Sequence, residues 1–345
     1  MKQRLAFEYE AEIVGGLESM ANGEIMGLRG GRAVIYGARQ NAICFTFDGD
    51  PKALRGLKLA QAVYSVVTYD VPRPRALLGD AHFRRLIAQI DAVIGANRRG
   101  AFRSFHIAAA GSDSSVMTRI KDALARHTGL PHDDEGGDLH IRIITAREGW
   151  QTLVRLTPRP LATRAWRVQD MPGALNATVA AAMGLLSQLA IDQVVVNLGA
   201  GSASLLIERC GLLPVRAALG IDHDSDALAA ARANIAAAGC GERIALIQGD
   251  MRRLPLPDAC ADALLCDLPF GQRVGSHAEN ARLYPAALGE AARIAKPRAR
   301  FVVITHEIRL MEATLAGQGD WTPIMERPIV LRGLHPRIYV LERVV

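Results

Sequence analysis

From Gln193 onward the chain alternates short apolar runs with helical spacing in a regular βα beat. The pattern predicts a strand at Gln193–Leu198 running into a helix at Ala203–Cys210, and a strand at Val215–Ile221 running into a helix at Ser225–Ala238. Strands at Arg243–Gln248 and Ala261–Cys266 come next, then a helix at Glu279–Ala295. A strand at Arg300–Thr305 leads into a helix at Glu307–Leu315. Repeated βα units leave little choice but an open parallel sheet, which binds ligands at the carboxyl ends of its strands. The late segments Ile324–Leu331 and Pro336–Leu341 are strand-like and are expected to pair antiparallel at an edge.

The first half has a different texture. Strands are expected at Phe7–Val14, Ala33–Tyr36, Ala42–Phe47, Ala62–Tyr69, Ser104–Ala109, Leu139–Ile144 and Thr152–Thr157. Only two helices are expected among them, Gly79–Asn97 and Ser114–His127, the second with a Ser start and Gly129 past its end. Mixed strands and helices indicate an α+β half. A segment with Pro158, Pro160 and Pro172 then reads as a linker. The expected division is 1–60, 61–157, a linker at 158–172, and 173–345.

Charge separates the halves further. Residues 1–165 carry 23 Lys and Arg against 17 Asp and Glu, whereas residues 166–345 carry 18 of each, so the first half holds the whole net charge of +6. That asymmetry suggests a polyanion meets the first half. Half the residues are hydrophobic, which excludes global disorder. Five scattered cysteines without a CxxC pair argue against a disulfide framework and a zinc site, and fit a reducing cytosol. No apolar signal segment opens the sequence, and the most apolar helical run, Ala177–Ile191, is too short to span a bilayer. A soluble, cytoplasmic protein with no membrane partner is expected.

The first motif is Asn197-Leu-Gly-Ala-Gly-Ser-Ala203, between a strand and a helix. Its glycines allow a tight turn and close backbone approach to a ligand, but the third glycine of a dinucleotide fingerprint is missing. Asp222 ends the second strand, where an acidic side chain can take both ribose hydroxyls. Asp224, Ser225 or Asp226 can cap the next helix. Asp250 ends the third strand, where a carboxylate can accept from an adenine amino group. These ends describe an adenosine site without a phosphate cradle, so S-adenosylmethionine fits better than NAD. The residues expected to hold it are Asn197, Gly199, Ala200, Gly201, Ser202, Asp222, His223, Asp250 and Met251.

The fourth strand ends in Asp267-Leu-Pro-Phe-Gly271. An exocyclic base amine is a poor nucleophile because its lone pair is delocalised into the ring. Asp267 and the carbonyl of Leu268 can each accept one amino hydrogen and turn the lone pair toward a sulfonium methyl. Phe270 can stack on the base, and Pro269 fixes the turn. Cys266 could suggest a nucleophilic thiolate, but a strand-end cysteine alternating away from Asp267 reads as core. The nine histidines show no metal-ligand spacing, and no metal is expected.

The block Asp267-Leu-Pro-Phe-Gly-Gln-Arg273-Val-Gly-Ser-His277-Ala-Glu-Asn280-Ala-Arg-Leu-Tyr-Pro285 resembles the THUMP-domain tRNA guanine-N2 methyltransferases, in the branch that modifies position 6 of the acceptor stem. Gly16-Leu-Glu18 with Glu24 resembles that family's N-terminal ferredoxin-like opening. Phe83 to Arg167 is similar to a THUMP domain and its exit. Pro172-Gly-Ala-Leu-Asn176 resembles the segment over the cofactor, and Arg332-Gly-Leu-His335 the edge-strand ending. The first motif departs from the family's Asp-Pro start and Cys-Gly-Ser-Gly: Asn197 lacks the charge that helps a sulfonium.

The resemblance implies a Rossmann-like, S-adenosylmethionine-dependent methyltransferase sheet behind a ferredoxin-like unit (1–60) and a THUMP RNA-binding domain (61–157). It adds Pro172 and Asn176 to the cofactor set. The implied activity is methyl transfer to guanosine N2 in the tRNA acceptor stem, with the THUMP domain gripping the 3′ end, by a monomer. Arg98, Arg99, Arg103, Arg119 and Lys121 are the candidate RNA contacts of the basic half, and Arg273, His277 and Asn280 those near the base. The alternatives are guanine at position 10, an adenine N6, or a non-catalytic RNA-binding scaffold.

Overall fold

The structure is a computed structural model and describes residues 7–147, 149–270, 277–331 and 333–344. The chain forms two compact units: residues 1–13 with 18–162, and residues 14–17 with 163–345.

The first unit contains β1 (Phe7–Ile13), α1 (Glu18–Met26), β2 (Ala33–Arg39), β3 (Ala42–Phe47), β4 (Ala60–Tyr69), α2 (Asp80–Gly95), β5 (Phe105–Ala109), α3 (Ser115–Thr128), β6 (Leu139–Thr145) and β7 (Trp150–Arg155). Its seven strands make one sheet in the order β2-β3-β1-β4-β7-β6-β5. The expected break between residues 60 and 61 falls at the first residues of β4, which pairs with β1 on one side and β7 on the other. Hydrogen bonding therefore runs across that position without interruption. The long β-branched and aromatic run of β4 makes it a central strand. Leu86, Ile90 and Val93 form the buried stripe of α2, and Met117, Ile120 and Leu124 that of α3, at the spacing of one helix face. Ser114 caps α3, its hydroxyl accepting from the Met117 amide at 3.4 Å, and Gly129 closes it at φ +69°.

Helix α1 was not expected. It buries only Ala21 and Ile25, too few positions to show a period. Its Glu24 carboxylate accepts from the Lys58 and Leu59 amides at 2.6 and 2.9 Å, so that conspicuous acid holds the segment entering β4.

The second unit contains α4 (Ala177–Leu186), β8 (Val194–Leu198), α5 (Ser204–Leu212), β9 (Ala217–Asp222), α6 (Ser225–Ala237), β10 (Ile244–Gln248), β11 (Ala261–Asp267), α7 (His277–Ile294), β12 (Ala295–Thr305), α8 (Ile308–Ala316), β13 (Trp321–Pro328) and β14 (Arg337–Arg343). The sheet order is β10-β9-β8-β11-β12-β14-β13. The first five strands are parallel and β14 is antiparallel to both its neighbours, with β13 at the edge. Val196, Leu198, Leu264, Cys266, Phe301 and Val303 are fully buried within it. From β8 the chain winds outward to β10, then restarts on the other side at β11. This reversal separates neighbouring connections and opens a crevice at the carboxyl ends of β8 and β11.

Residues 14–17 complete this second unit. Gly15 bridges to Val330, whose amide donates to the Gly15 carbonyl at 2.9 Å. The approach is close enough that a Cβ on Gly16 (φ +92°) would lie 2.1 Å from the Pro328 carbonyl oxygen.

Candidate active site

Three strand ends form one wall of the crevice. The β8–α5 turn bends through Gly199 (φ +68°) and Gly201 (φ +50°), and a Cβ on Gly199 would meet the Met251 methyl at 3.0 Å. Asp222 braces this turn: its carboxylate accepts from the Gly201 amide at 2.8 Å and the Asp224 amide at 3.0 Å. Asp224 supplies the N-cap of α6, accepting from the Asp226 amide at 2.8 Å. Asn234 of α6 is fully buried and ties the turn from behind. It donates to the carbonyls of Ser202 and Gln169 at 3.1 and 2.9 Å, and accepts from the Val168 and Gln169 amides, both at 2.9 Å. All its polar capacity is used, and nothing in its helical context signalled that role.

Asp250 is drawn elsewhere. Arg252 grips its carboxylate through Nε and Nη2 at 2.6–3.0 Å, and that hydrogen bonding holds the acid below the usual carboxylate range. In the free protein the expected adenine acceptor is thus occupied by Arg252, a residue sequence reasoning passed over.

Asp267 is the opposite case. It is half-buried, and no donor among the described residues reaches its carboxylate. Loss of hydration pushes its pKa up to about 7. The backbone after it is fixed at several points. The Leu268 amide donates to the Ile304 carbonyl at 3.1 Å. The Pro269 carbonyl accepts from Asn280 Nδ2 at 2.9 Å and Tyr284 Oη at 2.8 Å. Tyr284 Oη also lies 2.7 Å from Thr305 Oγ1, which accepts from the Glu307 amide at 2.9 Å. The tyrosine's single hydrogen goes to Pro269, so Thr305 donates to Tyr284. Both lone pairs of the Pro269 carbonyl are thus engaged, which leaves that oxygen no capacity for an incoming amine. A carboxylate without a donor among the described residues, a fixed turn and the Phe270 ring suit an amine-bearing aromatic substrate.

The chain matches the family described as RMKL-like, methyltransferase domain, over residues 164–337. That span is half of the chain. The chain belongs to this methyltransferase family. Among curated relatives, the mouse tRNA (guanine(6)-N(2))-methyltransferase THUMP3 is 36% identical over 105 residues, covering 30% of this chain and 21% of the mouse protein. The tRNA (guanine(6)-N2)-methyltransferase of Thermus thermophilus is 27% identical over 229 residues, covering 66% of this chain and 67% of that one. The match therefore spans about a fifth of the mouse relative's length. In fold, the crystal structure of TrmN from Thermus thermophilus superposes with a TM-score of 0.74 at 23% identity, covering 98% of this chain and 100% of that chain.

Several expected contacts of this methyltransferase take other roles. Asn280 was expected near RNA, but it is fully buried and holds the Pro269 carbonyl, a corrected role that its place on an inward face of α7 explains. Asn197 was expected beside the cofactor, but it is fully buried and donates to the carbonyls of Leu198 and Leu265 at 3.1 Å each, sewing β8 to β11. Asn176 caps α4, its Oδ1 accepting from the Thr178 amide at 2.9 Å, while Pro172 is exposed. Ser202 is buried against Ser204, the hydroxyls 3.1 Å apart, and Ala200 donates its amide to the Ile221 carbonyl. His223 is exposed beside Asp222. His277 is exposed and pairs with Glu307 at 2.9 Å. Arg273 lies outside the described residues.

Of the basic candidates, Arg98, Arg99 and Arg119 are exposed without a side-chain partner among the described residues. Arg103 pairs with Asp138 at 3.3 Å, and Lys121 with Asp134 at 3.2 Å. Cys266 is buried and burial pushes its thiol well up, as a core residue requires. Among the described residues no cluster of His, Cys, Asp or Glu is arranged to hold a metal, and no helix is long and apolar enough to cross a membrane.

Proposed function

We propose that this methyltransferase transfers a methyl group from S-adenosylmethionine to the exocyclic N2 of a guanosine in tRNA, at position 6 of the acceptor stem. The observation that carries the reading is the Asp267 carboxylate, which no donor among the described residues reaches, beside an anchored Leu268-Pro269-Phe270 turn. The printed activities of the mouse and Thermus relatives favour guanosine over adenine.

The turn and strand ends fit the donor. Gly199 leaves room under the Met251 methyl, and the Asp222 carboxylate keeps free lone pairs for ribose hydroxyls after accepting two amides. Asp250 reaches an adenine amine once Arg252 releases it. Bound there, S-adenosylmethionine supplies an electrophilic methyl carbon. Asp267 and the Leu268 carbonyl each accept one hydrogen of the base amine, Phe270 stacks on the ring, and Asp267 takes the proton the nitrogen sheds. A carboxylate titrating near 7 suits that proton transfer. The net positive charge of residues 1–165, with Arg98, Arg99 and Arg119 exposed, supports an RNA grip in the first unit, where phosphate contacts position without reading sequence.

The test is methylation of unfractionated tRNA followed by mass spectrometry of the digested nucleosides and mapping of the modified position. N2-methylguanosine at position 6 is expected. N6-methyladenosine overturns the guanine reading, and position 10 overturns the site. No binding of S-adenosylmethionine at millimolar concentration favours the scaffold. Equal activity on tRNA lacking its 3′ CCA end overturns the end-gripping role.

A further inference from the structure

Beside Phe270 stands a second ring that the amine geometry does not use. His306 follows the last residue of β12 and is half-buried, its ring centroid 6.1 Å from that of Phe270 with the planes inclined at 35°. That angle is neither a stack nor an edge-to-face contact, so the two rings gain little from each other. Two rings this far apart and inclined at this angle can bound a slot. A flat base stacked between two rings at van der Waals contact needs planes about 7 Å apart, more than the 6.1 Å between the centroids, so the rings must part by at least about 1 Å and turn toward parallel to admit one.

The backbone under both rings is locked by one relay. Pro269, just before Phe270, accepts from Tyr284; Thr305, just before His306, donates to Tyr284; and Thr305 accepts from Glu307, just after His306. His277 pairs with Glu307 from the start of α7. Tyr284 is fully buried and bonds to both ring-bearing segments, so it sets the spacing of the two rings.

We propose that His306 is the second wall of the base slot, stacking on the face of the target base opposite Phe270, and that Tyr284 is the positioning residue that fixes the gap. This rests on the reading of the site as a base-amine methyltransferase. The two walls hold the ring plane while Asp267 and the Leu268 carbonyl orient its amine.

The test uses the full-length protein with tRNA and four variants: His306→Ala, His306→Leu, His306→Phe and Tyr284→Phe. Loss of stacking on alanine substitution corresponds to about tenfold or more in KM for tRNA or in kcat. His306→Ala and His306→Leu are expected to show it, with S-adenosylmethionine Kd within about twofold of the parent. His306→Phe is expected to recover most of the loss, because the wall needs a ring. Tyr284→Phe is expected to lower kcat more than it raises KM.

If His306→Leu matches the parent, or His306→Phe is as impaired as His306→Ala, the stacking wall is wrong. If Tyr284→Phe leaves kcat unchanged, the positioning role is wrong. Parent protein that binds S-adenosylmethionine but methylates no base amine in RNA sinks the functional reading itself, a result separate from any ranking of variants.

Discussion

Asp222 and Asp267 end two parallel strands of one sheet, yet they stand in opposite conditions. Asp222 accepts two backbone amides and braces the glycine turn. Asp267 has no donor among the described residues, and burial lifts its pKa to about 7. The difference separates holding from reacting. A carboxylate satisfied by the backbone adds rigidity, whereas one without donors costs stability and, in the proposed mechanism, accepts an amine's hydrogens and then its proton.

The sharpest way to break the comparison is Asp267→Asn. Methyl transfer is expected to fall by about 100-fold or more, on the scale of losing a general base, read by incorporation of labelled methyl into tRNA. The stability sign runs the other way. Asp267's folded pKa lies above its unfolded value of 3.8, so its contribution is intact below about 4 and is lost as pH rises through about 7. Asp267→Asn is therefore expected to melt higher than the parent at pH 8 by about 2 kcal/mol and to lose that advantage near pH 4. A variant equally stable or less stable at pH 8 contradicts the starved carboxylate. In the parent, kcat/KM is expected to rise with pH and level off above about 7, and a flat profile from pH 5 to 8 removes Asp267 as the proton acceptor.

Asp222→Asn should do the reverse of Asp267→Asn. The Gly201 and Asp224 amides lose a charged acceptor, so stability is expected to fall by about 1–3 kcal/mol and cofactor affinity by about tenfold or more. Calorimetric titration and thermal melts check both. Unchanged stability would make the two acids alike after all.

The smallest effect tests the turn that Asp222 braces. Ala203 is fully buried at φ +64°, in the left-handed region that favours glycine. Ala203→Gly is expected to relieve about 1 kcal/mol of strain, visible as a small rise in melting temperature. A fall would show that the buried methyl's packing outweighs the strain.

The sheet of the second unit was legible because βα periodicity and strand-end acids are local signals. The Asp267 to Phe270 turn stood out because the groups that the proposed mechanism uses are compressed into four residues. Tyr284, Thr305 and His306 were hidden for a physical reason. They act through backbone carbonyls or ring contacts on distant segments, and a lone polar residue at a helix or strand position announces neither. Asn280 misled in the same way: a polar residue close in sequence to the Asp267–Phe270 turn looks like a substrate contact until its burial is seen. The unbroken sheet of the first unit was missed because strand texture reveals strands, whereas their partners depend on register.

The short stretch 14–17 carries a consequence in time. On the ribosome, Gly16 emerges more than 300 residues before Pro328, the segment it packs against. At about 5–20 residues per second this interval is roughly 15–60 s. The first unit, with β1 between β3 and β4, can complete its sheet meanwhile, so the last closure of the methyltransferase unit is the capture of a strand fragment made long before its partner. A gene cut at residue 163 would encode every βα unit and still lack that clasp.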